Sequence, residues 1–297
     1  LAEDNLLIVR FHSALKRLET LKLPEKYRGL VPAISAARVF RTGFHDYCGP
    51  SPCLIRCGLY DQVQLLQAEP LVLTCLSCGV EYDAESDRGT VDLTTTWLGD
   101  GQAGVTVDLM DATGASVAHT EFLAHGGMQR SILNVPSPRR WYPWTHGEPA
   151  VYTLRVRGGG DETVRMVGFR TLQIDKKLTL TVNGRIVRAW GANLMHLDTL
   201  TNCYDAQKMR RMLDLVCLAN CNMLRVWGEA DRLPDAFYDE CDRRGILVWQ
   251  DFFLGCSLYS EEESFMQACG AEAEQLISER KHHPSVALWC GGNELYL

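Results

Sequence analysis

The chain has 297 residues and a formal net charge of −7, which argues against a nucleic-acid partner because phosphate backbones are bound by basic surfaces. Apolar residues make up 46% of the chain and charged residues 23%, proportions typical of a globular protein and not of a disordered one. No apolar run reaches the roughly 18–20 residues of a membrane span, so we expect no membrane partner.

Residues 1–68 alternate short apolar runs with turn residues, and the runs 5–11 and 59–66 are strand-like. The pattern predicts the end of a β-domain. Both ends of the chain look cut, because it opens without methionine in a strand-like run and closes soon after an apolar strand. We therefore expect a piece of a longer protein, in which a missing targeting signal carries no meaning.

The chain contains 12 cysteines, but a protein of this length does not need disulfides to fold. Cys75 and Cys78 form a C-x-x-C pair in a strand-like run, where an offset of three places them on opposite faces. No second pair lies at zinc-ribbon spacing. We expect no metal ion, and free thiols weakly favour a reducing compartment such as the cytoplasm while leaving the localisation open.

Residues 69–176 have an all-β pattern, with short apolar runs at the spacing typical of a β-sandwich. These runs cover residues 91–97, 105–110, 116–122, 131–135, 152–156 and 163–174. Gly99-Asp-Gly101 and Gly158-Gly-Gly160 predict turns between strands. The second of these is expected to be a hairpin loop and not a phosphate loop, because a phosphate loop needs a helix directly after it.

Residues 177–297 carry helix signals between apolar strands. Asp205 is predicted to cap one helix, Pro234 to lie in the first turn of a second, and Gly245 to end it. A run of acidic residues opens a third helix, at whose end His282 and His283 are expected to cap the last carbonyl groups. The predicted strands cover residues 186–191, 222–227, 246–251 and 286–290.

Apolar strands separated by helices predict a parallel sheet covered on both faces, either a doubly wound sheet or a (β/α)8 barrel. No G-x-G-x-x-G follows a strand, which argues against a dinucleotide-binding sheet. Both architectures place their site at the C-terminal edge of the sheet. Polar or aromatic residues gather at these strand ends: Arg225, Trp227 and Glu229, then Gln250 and Asp251, then Asn293 and Glu294.

The last strand leads into Trp289-Cys-Gly-Gly-Asn-Glu294, in which two glycines precede an amide and a carboxyl group. The glycines allow a sharp turn and a close approach of a ligand to the backbone. Asn293 offers a donor and an acceptor to a hydroxyl group. A carboxyl group at an apolar strand end, such as Glu294, suits a general acid, although a solvated loop residue fits the same pattern.

Several motifs follow one another in the second half of the chain: Asn222-Met-Leu-Arg-Val-Trp-Gly228, Phe237-Tyr-Asp-Glu-Cys-Asp242, Gly245-Ile-Leu-Val-Trp-Gln-Asp-Phe252 and His283-Pro-Ser-Val-Ala-Leu-Trp-Cys-Gly-Gly-Asn-Glu294. They resemble glycoside hydrolase family 2, and within it the β-mannosidase branch. Shorter upstream matches are Tyr152-Thr-Leu154, Gly168-Phe-Arg170, Val182-Asn-Gly184 and Trp190-Gly-Ala-Asn193. The resemblance covers most of the chain and is weak before residue 70.

The resemblance implies a multidomain protein with β-sandwich domains followed by a truncated (β/α)8 TIM barrel. Residues 1–68 would be the C-terminal part of a jelly-roll sugar-binding domain, 69–176 an immunoglobulin-like β-sandwich, and 177–297 the first half of the catalytic barrel. It also implies a retaining exo-glycosidase that hydrolyses terminal β-glycosidic bonds, with β-mannosides as the expected substrates. No metal or organic cofactor is implied, and the oligomeric state is left open.

The resemblance also assigns roles to individual residues. Glu294 matches the acid/base glutamate and Asn293 the residue that binds the 2-hydroxyl group of the sugar. Trp227 matches a sugar-contacting tryptophan and Arg225 a basic residue that supports the site, while Asp251 is expected to face the same pocket. The nucleophile glutamate of the family comes from a later barrel strand, so we expect it to be missing here and the chain alone to be inactive.

Two departures from the family pattern bear on sugar specificity. The family's jelly roll sends a Trp-Asp-Trp-Gly-Pro loop into the site, whereas this chain has Phe44-His-Asp-Tyr-Cys-Gly-Pro50, in which Asp46 takes the role only after a shift of one residue. After Trp227 the family often has three glycines, and this chain has Gly228-Glu-Ala230. The alternatives are a non-catalytic carbohydrate-binding protein and an exo-β-glucosaminidase or β-galactosidase.

Overall fold

The computed structural model of the protein describes residues 6–13, 16, 58–59, 63, 70–197, 204–228, 232–255, 259 and 262–295. Most of the predicted jelly-roll segment, including Asp46, lies outside these residues. Among the residues described, no helix has the length and apolar character needed to cross a membrane. Two parts follow one another along the described chain, an all-strand part and an α/β part.

The all-strand part is an antiparallel sheet of five strands: β1 (Val72–Asp83), β2 (Arg88–Met110), β3 (Ser116–Pro136), β4 (Tyr152–Gly158) and β5 (Asp161–Val167). The first half of β2 pairs with β1 and its second half with β4, while β3 follows β2 along most of its length. Residues from both halves, such as Val91, Leu93, Val107 and Leu109, lie in one core. The sheet therefore folds over itself, as the coarse β-sandwich prediction requires.

The predicted turn at Gly99-Asp-Gly101 is wrong, because β2 runs through it as one continuous bent strand. Gly99 has φ +130°, and a Cβ atom there would lie 2.2 Å from the carbonyl oxygen of Pro70. Beside it in β3, a Cβ atom on Gly126 would lie 2.4 Å from the carbonyl oxygen of Gly99. These glycines let both strands bend at the same place, so the runs predicted as separate strands merge into two long ones.

Two other predictions for the all-strand part are confirmed. Gly158-Gly-Gly160 joins β4 to β5 as a hairpin loop, with φ +59° at Gly159 and +85° at Gly160. Cys78 is buried and Cys75 is exposed, as the alternation of a strand requires.

The α/β part begins with a small antiparallel sheet of β6 (Leu172–Ile174), β7 (Leu180–Val182) and β8 (Arg185–Val187). It continues with β9 (Gly191–Leu194), α1 (Ala206–Leu218), β10 (Met223–Val226), α2 (Asp235–Arg244), β11 (Leu247–Asp251), α3 (Glu263–Arg280) and β12 (Val286–Cys290). The four strands β9 to β12 are parallel and stand side by side in chain order. The predicted alternation of strands and helices is confirmed.

The strand predicted over residues 186–191 is wrong, because the structure divides this stretch between β8 and β9. The backbone N–H of Trp190 donates to the side chain of Asn222 at 2.9 Å. The carbonyl oxygen of Trp190 accepts from the N–H groups of Asn222 and Met223. These bonds tie the chain at Trp190 to the start of β10, so the first parallel strand begins only at Gly191.

The helix boundaries follow local signals in the sequence. The Asp205 carboxylate accepts from the N–H groups of Gln207 and Lys208 at 2.8 and 3.0 Å, which confirms the predicted cap of α1. Gly245 ends α2 with φ +67°, a conformation that other residues adopt at a cost.

The two parts pack together at the amino-terminal ends of the parallel strands. Trp141, from the all-strand part, is fully buried beside Met223, Leu247 and Ala287, which lie in the first two residues of β10, β11 and β12. The Arg170 guanidinium donates to the carbonyl oxygens of residues 284 and 286 at 2.5 and 2.6 Å. This edge is therefore closed by the all-strand part, and the opposite, carboxyl edge is where a ligand can reach the strands.

The prediction that the side chain of His283 caps the last carbonyl groups of α3 is wrong, although its backbone N–H donates to the carbonyl oxygen of Arg280 at 3.1 Å. His282 and His283 are both buried, and Nδ1 of His283 pairs with the Asp242 carboxylate at 2.6 Å. The other oxygen of Asp242 accepts from the N–H of Ser285 at 2.9 Å. Burial lowers the pKa of His282 well below its usual value. His283 therefore ties the segment before β12 to α2, a contact that no local pattern indicates.

Candidate active site

A buried ion pair lies at the carboxyl edge of the parallel sheet. Arg225, in β10, donates from Nε to Oδ1 of Asp251 at 3.2 Å and from Nη2 to Oδ2 at 2.6 Å. The Asp251 side chain is 0% exposed and that of Arg225 22% exposed. The guanidinium also lies 5.2 Å from the ring centre of Trp249, its cross-strand neighbour. This bidentate contact fixes the plane of the guanidinium relative to the plane of the carboxylate, so the pair is held in one geometry.

Asn293 joins this pair. Nη2 of Arg225 donates to Oδ1 of Asn293 at 2.9 Å, and the backbone N–H of Asn293 donates to the carbonyl oxygen of Leu254 at 2.9 Å. Arginine has no acceptor, so the amide must turn its oxygen toward Arg225. The amide nitrogen of Asn293 is then the group that can donate to a ligand hydroxyl.

Asp251 also holds the end of the neighbouring strand. The N–H of Gly228 donates to Oδ2 of Asp251 at 3.1 Å. A Cβ atom on Gly228 would lie 2.5 Å from the carbonyl oxygen of Leu254, so a larger residue would push the two loops apart. Gly255 and Asn293 form a parallel bridge beside this contact. The ends of β10, β11 and β12 are therefore tied together around the Asp251 carboxylate.

Glu294 is exposed at the same edge, directly after the buried Asn293. Its φ of +51° is in the left-handed region, which is uncommon for a residue with a side chain. Gly292 has φ +148°, and a Cβ atom there would lie 2.6 Å from the carbonyl oxygen of Leu254. This turn places an amide inside the site and a carboxyl group at its rim. Such backbone strain concentrates at functional sites.

The structure brings together Arg225, Asp251 and Asn293, with Glu294 next in the chain, and the roles assigned to these residues stay predictions. Trp227 is 6% exposed and lies in the core between the sheet and its helices, and its role as a sugar platform stays a prediction. Asp46 lies outside the described residues, so its place in the site also stays a prediction.

Sequence reasoning missed how Gln250 and Tyr238 are used. The Tyr238 hydroxyl donates to Oε1 of Gln250 at 2.6 Å, and Nε2 of Gln250 donates to the backbone oxygen of Asp251 at 2.9 Å. The sequence places Tyr238 only on the apolar face of α2. The sequence signal that could have revealed this contact is Gln250 itself, a polar residue inside an apolar strand. A buried polar side chain needs a hydrogen-bond partner, and the helix that covers the strand is where that partner lies.

Among the described residues, one cluster has the ligand types of a metal site. Oxygen and nitrogen atoms of Asp239, Asp242 and His283 lie within 4.8 Å of one another. Both oxygens of Asp242 already accept hydrogen bonds, from His283 and from the N–H of Ser285. The cluster is therefore explained as a hydrogen-bonded network that joins α2 to β12.

The chain has curated relatives. No family model matches the chain. A β-mannosidase A of Emericella nidulans is 36% identical over 186 residues, which cover 56% of this chain and 20% of that protein. A β-mannosidase B of Thermothelomyces thermophilus is 28% identical over 316 residues, which cover 99% of this chain and 36% of that protein.

The chain is thus similar in sequence to these β-mannosidases. The crystal structure of a β-D-mannosidase from Dictyoglomus thermophilum has the same fold, with a TM-score of 0.76 and 24% identity over 94% of this chain and 36% of that one. A β-glucuronidase from Parabacteroides merdae matches 76% of this chain and 30% of its own, with a TM-score of 0.65 and 20% identity. The match thus spans between a fifth and somewhat over a third of these β-mannosidases.

Proposed function

We propose that the protein is a retaining exo-glycosidase that hydrolyses terminal β-glycosidic bonds, with β-mannosides as its substrates. The observation that carries the proposal is the array of Arg225, Asp251 and Asn293 beside Glu294 at the carboxyl edge of a parallel sheet. It supplies one of the two carboxyl groups that retaining glycoside hydrolysis uses and an oriented amide that can bind the 2-hydroxyl group of the sugar. The relation to β-mannosidases along nearly the whole chain supports the same function.

We further propose that residues 177–297 form the first half of a (β/α)8 barrel. Strands β9 to β12 stand in chain order without reversal, whereas a doubly wound sheet reverses its order at a switch point. A barrel of this class takes about 250 residues, roughly twice the length of this part. Residues 69–176 would then be the immunoglobulin-like sandwich, and residues 1–68 the end of the jelly roll.

In the proposed mechanism, Glu294 protonates the oxygen of the leaving group and then deprotonates the attacking water. A second carboxylate, about 5–5.5 Å away, forms the covalent glycosyl-enzyme. Asn293 donates to the 2-hydroxyl group, and that hydrogen bond strengthens as the sugar approaches the oxocarbenium-like transition state. Arg225 and Asp251 keep the amide in the donating orientation, and no step calls for a metal or an organic cofactor.

A panel of aryl β-glycosides assayed with the full-length protein tests the substrate. Hydrolysis of the β-mannoside with retained configuration supports the proposal. A preference for the β-glucosaminide or β-galactoside moves the protein to another activity of the same family. Tight binding of glycosides without hydrolysis identifies a non-catalytic carbohydrate-binding protein and contradicts the proposal.

Asn293→Ala is expected to lower kcat/KM for an aryl β-mannoside by about 10- to 100-fold, because the contact to the 2-hydroxyl group is lost in the transition state. The melting temperature should change little. The matched control is Asn222→Ala, whose side chain is bonded to Thr145, Trp190 and the carbonyl oxygen of Arg188. That variant should melt earlier and keep the activity of the folded fraction, and the reverse pattern would make Asn293 structural.

The polypeptide 1–297 by itself is expected to show no retaining glycosidase turnover. Its motifs place the acid/base at Glu294 and place no second carboxylate at the family's nucleophile position, so the two-step reaction cannot be completed. Within the described residues, β9 and β12 each pair with one strand only, and such open edges favour aggregation. Gel filtration with an aryl β-mannoside assay checks both points, and a monomer that hydrolyses with retention contradicts them.

A further inference from the structure

A second hydrogen-bonded system lies behind the Arg225–Asp251 pair, on the helix-facing side of β11. Gln250 is 0% exposed. Its Oε1 accepts from the Tyr238 hydroxyl at 2.6 Å, and its Nε2 donates to the backbone oxygen of Asp251 at 2.9 Å. A buried amide in an apolar strand persists only when its polar atoms are bonded, so these two contacts fix the Gln250 side chain.

Tyr238 is itself held on several sides. It is 1% exposed, the Arg280 guanidinium lies 4.8 Å from its ring centre, and the rings of Phe237 and His283 lie 5.2 and 5.4 Å away. Burial raises the pKa of Tyr238 to about 12, so the hydroxyl keeps its proton at neutral pH. It can therefore act as a fixed donor to Gln250.

We propose that Tyr238 and Gln250 are positioning residues for Asn293, acting through the end of β11. Gln250 holds the backbone oxygen of Asp251, whose carboxylate binds Arg225 and the N–H of Gly228. Arg225 in turn binds Oδ1 of Asn293. A shift at the end of β11 is passed through two charge-assisted contacts to the amide that meets the 2-hydroxyl group. This inference rests on the proposed function.

Tyr238→Phe in the full-length protein tests it. The variant removes one hydroxyl group and leaves the packing of the ring in place. The matched control is Tyr152→Phe, because Tyr152 is also buried, 5% exposed, and its hydroxyl oxygen accepts from the N–H of Arg139 at 2.7 Å in the all-strand part. Each variant is assayed on an aryl β-mannoside and on its 2-deoxy analogue, which lacks the hydroxyl group that Asn293 binds.

Tyr238→Phe is expected to lower kcat for the β-mannoside by roughly 3- to 10-fold, the effect of one lost buried hydrogen bond, with little change in KM. On the 2-deoxy analogue it should have no effect, and Tyr152→Phe should have none on either substrate. Combined with Asn293→Ala, Tyr238→Phe should cause no further loss, because both act through the same contact.

An equal loss on both substrates, or a loss that adds to that of Asn293→Ala, overturns the inference. Gln250→Met, which removes the amide and keeps the length of the side chain, must repeat the pattern, and this variant carries the test if Tyr238→Phe does not fold. A wild-type protein without activity on any β-glycoside refutes the proposed function together with the inference. An active wild type with no substrate-dependent effect refutes the inference alone.

Discussion

Replacement of Glu294 by glutamine in the full-length protein is expected to slow hydrolysis of alkyl β-mannosides by about 10²–10⁴-fold, the usual contribution of a general acid. An alkoxide is a poor leaving group and has to be protonated as the bond breaks. A dinitrophenolate leaves without a proton, so hydrolysis of the dinitrophenyl β-mannoside should lose far less in the first step. The ratio between the two substrates is the measurement, since loss of fold lowers both rates equally.

Two controls make this prediction specific. Glu85→Gln changes an exposed glutamate in the loop between β1 and β2 and should leave both rates unchanged. Glu294→Ala with added azide should release a β-mannosyl azide, because the small anion attacks the covalent intermediate without base assistance. Equal losses on both leaving groups, or an azide product of inverted configuration, would remove Glu294 from the acid/base role.

Asp251→Ala is expected to have the second large effect, on stability and on activity together. It leaves Arg225, whose side chain is 22% exposed, without the carboxylate that now binds its guanidinium at 2.6 and 3.2 Å. Removing one member of a buried pair costs roughly 3 kcal/mol. The N–H of Gly228 also loses its acceptor. We expect a lower midpoint of urea unfolding and a drop in kcat/KM at least as large as that of Asn293→Ala.

The matched control is Asp92→Ala in the all-strand part. Asp92 binds Arg130 in the same bidentate geometry, at 2.8 and 2.6 Å. However, the side chain of Asp92 is 40% exposed and that of Arg130 is 66% exposed. Exposed pairs contribute about 1 kcal/mol or less, so this variant should unfold almost as the wild type does. Equal losses of stability in the two variants would show that burial does not decide the effect.

A double variant separates the structural from the functional contribution of the pair. Arg225→Met with Asp251→Leu replaces two buried charges by apolar groups, which often restores stability. Activity should stay low, because Asn293 has lost the donor that orients its amide. Recovery of both stability and activity would show that the pair serves the fold alone.

Much of the α/β part was predictable from local sequence. Asp205 before an apolar stripe and Gly245 before an apolar strand mark helix ends by the bonds their own atoms make. Sequence alone also places Arg225, Asp251 and Asn293 at strand ends, and parallel strands bring such ends to one edge. The motif around Glu294, through its resemblance to a glycosidase family, indicates the chemistry.

Other features were decided only in the tertiary structure. Arg225 lies 26 residues from Asp251 and 68 from Asn293, so their contacts depend on the order and register of three strands. The bend at Gly99 depends on Pro70 and on Gly126 of another strand. Gln250 depends on a hydroxyl group from the helix that covers it. Hydrophobic periodicity and capping residues indicate the local backbone conformation of a few neighbouring residues. The contacts above form only once distant segments have packed against one another.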